Sequence, residues 1–140
     1  MRHRIFGSET MKIAHIGIAV NDLDAALKDY ESLGFRQHKR GFVEEQKVEV
    51  VSMEVGESSI ELIKPTAEGA VSKFLAAKGE GIHHLAIVVD NIEQALAGAK
   101  AKGLRLIDER PRIGFGGNKI AFVHPAGMHG VLLELVEVPK

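Results

Sequence analysis

The amino-acid sequence predicts an α+β fold of two tandem βαβββ modules. Three observations carry that prediction. The stretch "HIGIAVNDLDAALKDYESLGF" (15–35) aligns without a gap on "HLAIVVDNIEQALAGAKAKGL" (84–104), at an offset of 69 residues. Each copy opens as an apolar strand and continues as a helix with apolar residues at helical spacing. Each is followed by short β-like segments separated by glycine-containing turns. A unit this small leaves one apolar sheet face uncovered, so the two should pair to bury it.

Residues 1–10 ("MRHRIFGSET") precede the first patterned segment and are expected to be a poorly ordered extension. Module 1 spans 11–65. Its first strand runs to Asn21-Asp22, which supply a helix N-cap. Leu23, Ala26, Leu27 and Tyr30 mark the helix, and Gly34 suits the position after its end. Strands are expected at 35–43, 47–55 and 58–64, with Gly56 at a turn. Residues 66–78 read as a short linker helix. Module 2 spans 79–140 and repeats the plan. Asp90-Asn91 cap a helix marked by Ile92, Ala95, Leu96 and Ala99, and Gly103 follows it. Strands are expected at 104–108, 118–124 and 130–138, with turns near Gly116-Gly117 and Ala126-Gly127. Residues 11–140 are read as one domain.

Bulk composition narrows the function classes. The chain is 45% hydrophobic and 26% charged, as in soluble globular proteins. A net charge of −1 with scattered Lys and Arg argues against nucleic-acid partners and a polybasic membrane anchor. No apolar run approaches the ~20 residues needed to span a bilayer. A cytoplasmic protein is expected. The absence of cysteine excludes disulfides, thiolate metal sites and cysteine nucleophiles.

Strand parity selects the candidate site. A strand alternates its faces, so His83 and His84 point in opposite directions. The repeat matches His84 with His15, so those two are the candidates, and His83 is expected to pack or cap on the reverse face. Ala14, Ile16, Ile18 and Val20 share one face of the first strand, while His15 shares the other with Gly17 and Ala19. In the second copy His84 shares its face with Ala86 and Val88. Each repeated histidine therefore has small neighbours and room for a ligand. The last strand of each module carries a glutamate among aliphatics: Glu61 in "SSIELIKP" and Glu134 in "GVLLELVEVP". Singly, each glutamate reads as water-facing on a half-solvated sheet, and each histidine as a hydrogen-bonded core residue. Together, two imidazoles and two carboxylates at equivalent positions can bind Co²⁺, Ni²⁺, Mn²⁺, Fe²⁺ or Zn²⁺. Four protein ligands in an octahedral arrangement leave two positions for water or substrate oxygens. His3, His38, His124 and His129 have no repeat partner and stay unassigned.

These residues resemble the vicinal oxygen chelate superfamily, and within it the methylmalonyl-CoA epimerases. The stretches concerned are "IAHIGIAVNDLDAAL", "SIELIKP", "GEGIHHLAIVVDNIEQAL" and "ERPRIGFGGNKIAFVHP…GVLLEL". The resemblance covers 11–140. It implies a curved mixed sheet around a metal site, with His15, Glu61, His84 and Glu134 as ligands of one divalent ion. It also implies a homodimer that epimerises methylmalonyl-CoA, a CoA thioester, by removing the C2 proton through a metal-stabilised enolate. The family's general-base stretch appears as "EEQKV", which makes Glu45 the first candidate base, Glu49 a second, and Glu134 a third if it leaves the metal. The proline before that base is here Glu44, and "AGMHG" stands where the epimerases commonly carry a lysine and a serine. Glutamate at position 61, where epimerases can have glutamine, brings the ligand set closer to glyoxalase I. A glyoxalase I-like lyase and a non-catalytic small-molecule binder therefore stay open as alternatives. The loop "RIGFGGNKI" (112–120) reads either as a hairpin turn or as a substrate contact through Gly116, Gly117 and Lys119, with Arg110 and Arg112 as further phosphate partners.

Overall fold

The computed structural model describes residues 11–139, so the predicted extension 1–10 lies outside the described residues. The described residues divide into two compact units, His15–His84 in one and residues 11–14 with 85–139 in the other.

The first unit follows the predicted order: β1 (Lys12–Ala19), α1 (Leu23–Glu31), β2 (Gln37–Val43), β3 (Val48–Val55), β4 (Ser58–Pro65) and the helix α2 (Ala70–Lys78). Asp22 caps α1 by accepting the Ala25 amide at 3.0 Å. The helix ends where Gly34 N–H donates to Glu31 C=O. β2 and β3 pair antiparallel, as do β3 and β4, and β4 then lies parallel beside β1. Leu23 and Leu27 of α1 pack on Val51, Met53 and Leu62, with Ile18 beside them. Ile18 of β1 and Val20 just beyond it, two residues apart on one strand face, thus lie on the helix side. α2 starts four residues later than the predicted linker helix. Ser72 Oγ accepts the Gly69 amide at 2.8 Å and fixes the first turn there.

The second unit repeats this plan with β5 (Gly81–Val88), α3 (Ile92–Ala101), β6 (Arg112–Ile113), β7 (Lys119–Val123) and β8 (Leu133–Glu137). β6 and β7 are antiparallel, β7 and β8 antiparallel, and β8 parallel to β5. Ile92 and Leu96 of α3 pack on Ala121, Val123 and Leu135. A second cluster joins Ala86, Ile120, Phe122 and Val136. The α+β class of two βαβββ modules is borne out.

One element differs. No strand forms over 104–108; Leu106 makes a single bridge to Val123. The amides of Ile107 and Asp108 both converge on Phe122 C=O, and the Asp108 carboxylate accepts Phe122 N–H at 2.9 Å. A side chain has taken the place of a ladder partner. Pro111, which lacks an amide donor, follows shortly after. The counterpart of β2 is therefore the two-residue β6.

The helix caps are separable from any ligand site. Replacing Asn91, whose side chain accepts Gln94 N–H at 3.0 Å, by alanine is expected to cost about 1 kcal/mol. Urea unfolding should show a lower midpoint with an unchanged slope.

Candidate metal centre

The parallel pairing in each unit puts a histidine and a glutamate at one relative position. In the β1–β4 ladder Gly17 is in register with Glu61, and His15 lies two residues before Gly17. In the β5–β8 ladder Ala86 is in register with Glu134, and His84 lies two residues before Ala86. Residues two apart share a strand face, so each histidine lies on the face of the residue that registers with the glutamate. The two ladders also continue alike: Val20 N–H donates to Ile63 C=O at 2.9 Å and Val89 N–H to Val136 C=O at 2.8 Å. The repeat seen in the helices thus extends to the closing strands.

Both glutamates are buried, Glu61 at 9% exposure and Glu134 at 5%. The water-facing reading of these residues is therefore wrong. A buried carboxylate needs a compensating partner. Glu61 Oε1 lies 3.4 Å from His15 Nε2. His15 Nε2 lies 3.1 Å from Nε2 of His84, which is 5% exposed. A carboxylate oxygen and a second imidazole nitrogen thus each approach His15 Nε2 inside the first unit. Each of these two separations is that of neighbouring donors on one cation. Donors each ~2.1 Å from one ion stand roughly 3.0 Å apart at adjacent octahedral corners and roughly 3.4 Å apart in a tetrahedron. Neutral imidazole and carboxylate are ligands that several divalent ions accept.

Gly17 is needed for this convergence. A Cβ built on it would overlap Cε1 of His84 and lie 2.5 Å from Nδ1 and 2.6 Å from Nε2. The imidazole occupies the space that any other side chain would fill. Sequence reading found only that the neighbours of His15 are small, because glycine in a strand does not announce what approaches it.

The remaining predicted residues fall as follows. Glu45 stands exposed on a 3-10 turn, Glu44–Gln46, between β2 and β3. Glu49 on β3 accepts Arg40 Nε at 3.0 Å, and Arg40 also donates to Asp24 at 2.7 Å. The guanidinium beside Asp24 holds that carboxyl below its ordinary range. Gly116 and Gly117 form the turn between β6 and β7, so the hairpin reading of that loop holds in the fold. Lys119 is salt-bridged to Glu93 of α3 at 3.1 Å, and that carboxylate raises the lysine above its usual range. Arg112 lies 3.4 Å from Asp108 and over the Phe122 ring. His38 lies 3.9 Å from Glu54, and His124 Nδ1 accepts Ala126 N–H. His83 packs on Phe74 of α2, with ring centroids 5.0 Å apart. It also does something parity did not suggest: its Nδ1 lies 3.0 Å from Nδ1 of His84.

The chain is similar to proteins of one known family. A family profile described as the Glyoxalase/Bleomycin resistance protein/Dioxygenase superfamily matches residues 14–122. The uncharacterized protein YqjC of Bacillus subtilis (strain 168) is 42% identical over 131 residues, covering 92% of this chain and 93% of its own. The mitochondrial methylmalonyl-CoA epimerase of Homo sapiens is 35% identical over 127 residues, covering 89% of this chain and 72% of its own. Among solved structures, a variant of the Streptomyces coelicolor methylmalonyl-CoA epimerase in complex with 2-nitronate-propionyl-CoA superposes with a TM-score of 0.89 at 38% identity. It covers 92% of this chain and 95% of that one.

Gly17→Ala is expected to displace the His84 ring. Overpacking of this kind costs about 1–3 kcal/mol. Divalent-ion affinity, followed by chelator competition, should fall by at least tenfold, whereas the outward-facing Ile13→Ala should leave it unchanged.

Proposed function

The chain belongs to the Glyoxalase/Bleomycin resistance protein/Dioxygenase superfamily, and from that membership we propose that it is a metal-dependent methylmalonyl-CoA epimerase. The proposal assigns His15, Glu61, His84 and Glu134 as ligands of one divalent ion, with Co²⁺, Ni²⁺, Mn²⁺ and Zn²⁺ all compatible. The observation that carries it is the duplicated register, histidine two residues before the partner of a buried glutamate. Relatives bearing the epimerase name align over nearly the whole chain, which supports the choice of substrate.

C2 of methylmalonyl-CoA lies between a thioester and a carboxylate, and removing its proton makes an enolate of the thioester whose charge needs stabilising. A divalent ion held by the four ligands supplies a Lewis acid for the thioester oxygen, where negative charge collects. Glu45 is the proposed base. It takes the C2 proton from one face, and the C–H electron pair moves toward the thioester carbonyl. Inversion needs a proton returned to the opposite face; Glu134 would supply it only after leaving the metal and taking up a proton from solvent. Glu49 is the weaker candidate, since its pair with Arg40 engages one carboxylate oxygen. The turn at Gly116 and Gly117 has open space around both glycines. A pantetheine chain can approach backbone closely there. Lys119 would meet a CoA phosphate once its pair with Glu93 opens.

The test is solvent exchange. Metal-loaded protein incubated with one epimer in D₂O should lose the C2 proton signal while the other epimer appears. Glu45→Ala should slow exchange by roughly 10²-fold or more, the scale of a lost general base, with metal content unchanged. His84→Ala should lose both exchange and metal. If C2 keeps its proton at stoichiometric metal, the epimerase assignment fails and a glutathione hemithioacetal becomes the substrate to try.

A further inference from the structure

His84 has two ring nitrogens, and the proposed ligand role uses one. Its Nε2 lies 3.1 Å from His15 Nε2. Its Nδ1 lies 3.0 Å from Nδ1 of His83. A neutral imidazole carries one proton, so when the Nε2 lone pair faces a cation the proton is on Nδ1. That N–H points at His83 Nδ1. The contact is a hydrogen bond only if His83 Nδ1 offers a lone pair, which puts the proton of His83 on Nε2. We infer that His83 is a positioning residue: it accepts from His84 Nδ1–H and fixes the tautomer and ring angle in which His84 Nε2 can hold a divalent ion. The inference rests on the assignment of His84 as a ligand.

The surroundings of His83 suit the role. Its ring stands nearly perpendicular to that of His84, at 89° with centroids 5.3 Å apart. On the other side it meets Phe74 at 88°, and Lys78 Nζ lies 5.7 Å from the Phe74 centroid. α2 therefore braces the ring that braces the ligand. His84 is only 5% exposed, so bulk water has little access to its second nitrogen. Metal-bound histidines ordinarily give their other N–H to such an acceptor, which holds the ring and raises its basicity.

Two substitutions separate the acceptor from the packing. His83→Phe keeps an aromatic ring against Phe74 and removes the acceptor. His83→Asn loses the ring but places Oδ1 near the position of Nδ1. Zn²⁺ affinity by chelator competition should fall roughly 10- to 100-fold in His83→Phe, the range for a lost outer-shell partner. It should stay close to wild type in His83→Asn. Equal losses, or a loss in His83→Asn alone, would show that packing matters and overturn the inference, as would unchanged binding in His83→Phe. Nitrogen-15 spectra of the Zn²⁺-loaded wild type need no variant. They should show His84 protonated at Nδ1 and His83 unprotonated there, and a proton on His83 Nδ1 would equally refute it. His84→Ala guards the premise: if it binds Zn²⁺ as wild type does, the ligand assignment fails, independently of His83.

Discussion

The parallel pairing of the first and last strand in each βαβββ unit is the constraint on which the site depends. A parallel ladder is evenly spaced, so one register sets every facing pair. Here it opposes Gly17 to Glu61 and Ala86 to Glu134. A slip of one residue would turn Glu61 and Glu134 to the helix-facing side, among the aliphatics that pack on α1 and α3. The apolar patterning that builds the two cores therefore also orients the carboxylates, and fold and site share one determinant.

The buried polar residues show what that determinant implies. A carboxylate at 9% exposure beside an imidazole is unfavourable as an isolated arrangement. A second imidazole whose Nε2 approaches the first adds another lone pair or another proton to a small space. A cation shared by these groups, as proposed above, would take up those lone pairs. Three elements of the first unit contribute to that arrangement: β1 gives His15 and the vacancy at Gly17, β4 gives Glu61, and α2 supports His83 behind His84.

Much of this was legible in the residues. His15 and His84 follow from a gapless repeat, and Glu61 and Glu134 from their isolation among aliphatics in the closing strands. The helices follow from caps such as Asp22 and Asn91, whose side chains do accept the expected amides. What escaped reading depends on contacts between segments distant in the chain. The Gly17–His84 approach joins residues on different strands, and a glycine carries no mark of it. The His83 contact defeats simple parity, because parity places Cβ atoms while an imidazole nitrogen reaches well beyond its Cβ. The strand expected at 104–108 was lost to Asp108, whose carboxylate takes an amide that a neighbouring strand would have used. Position 45 is the converse case. Its proposed importance comes from motif resemblance, and the fold by itself leaves it on an exposed turn.

The shortened β6 has a bearing on how the protein behaves in a crowded solution. An outermost strand presents unpaired amides and carbonyls, a template on which another chain can add. In the second unit that template is two residues long and is preceded by Pro111, which has no amide to offer. The first unit ends in the seven-residue β2, which carries Phe42 at 67% exposure. Its register with β3 shifts between Gln37 and Lys39, and Lys39 and Arg40 place charge along it. One margin is nearly absent and the other is broken and carries charged side chains, Arg40 among them paired with Asp24 and Glu49. Colloidal behaviour is thereby guarded by different means in two halves that otherwise repeat each other, and the guard sits on the strands furthest from the duplicated histidines.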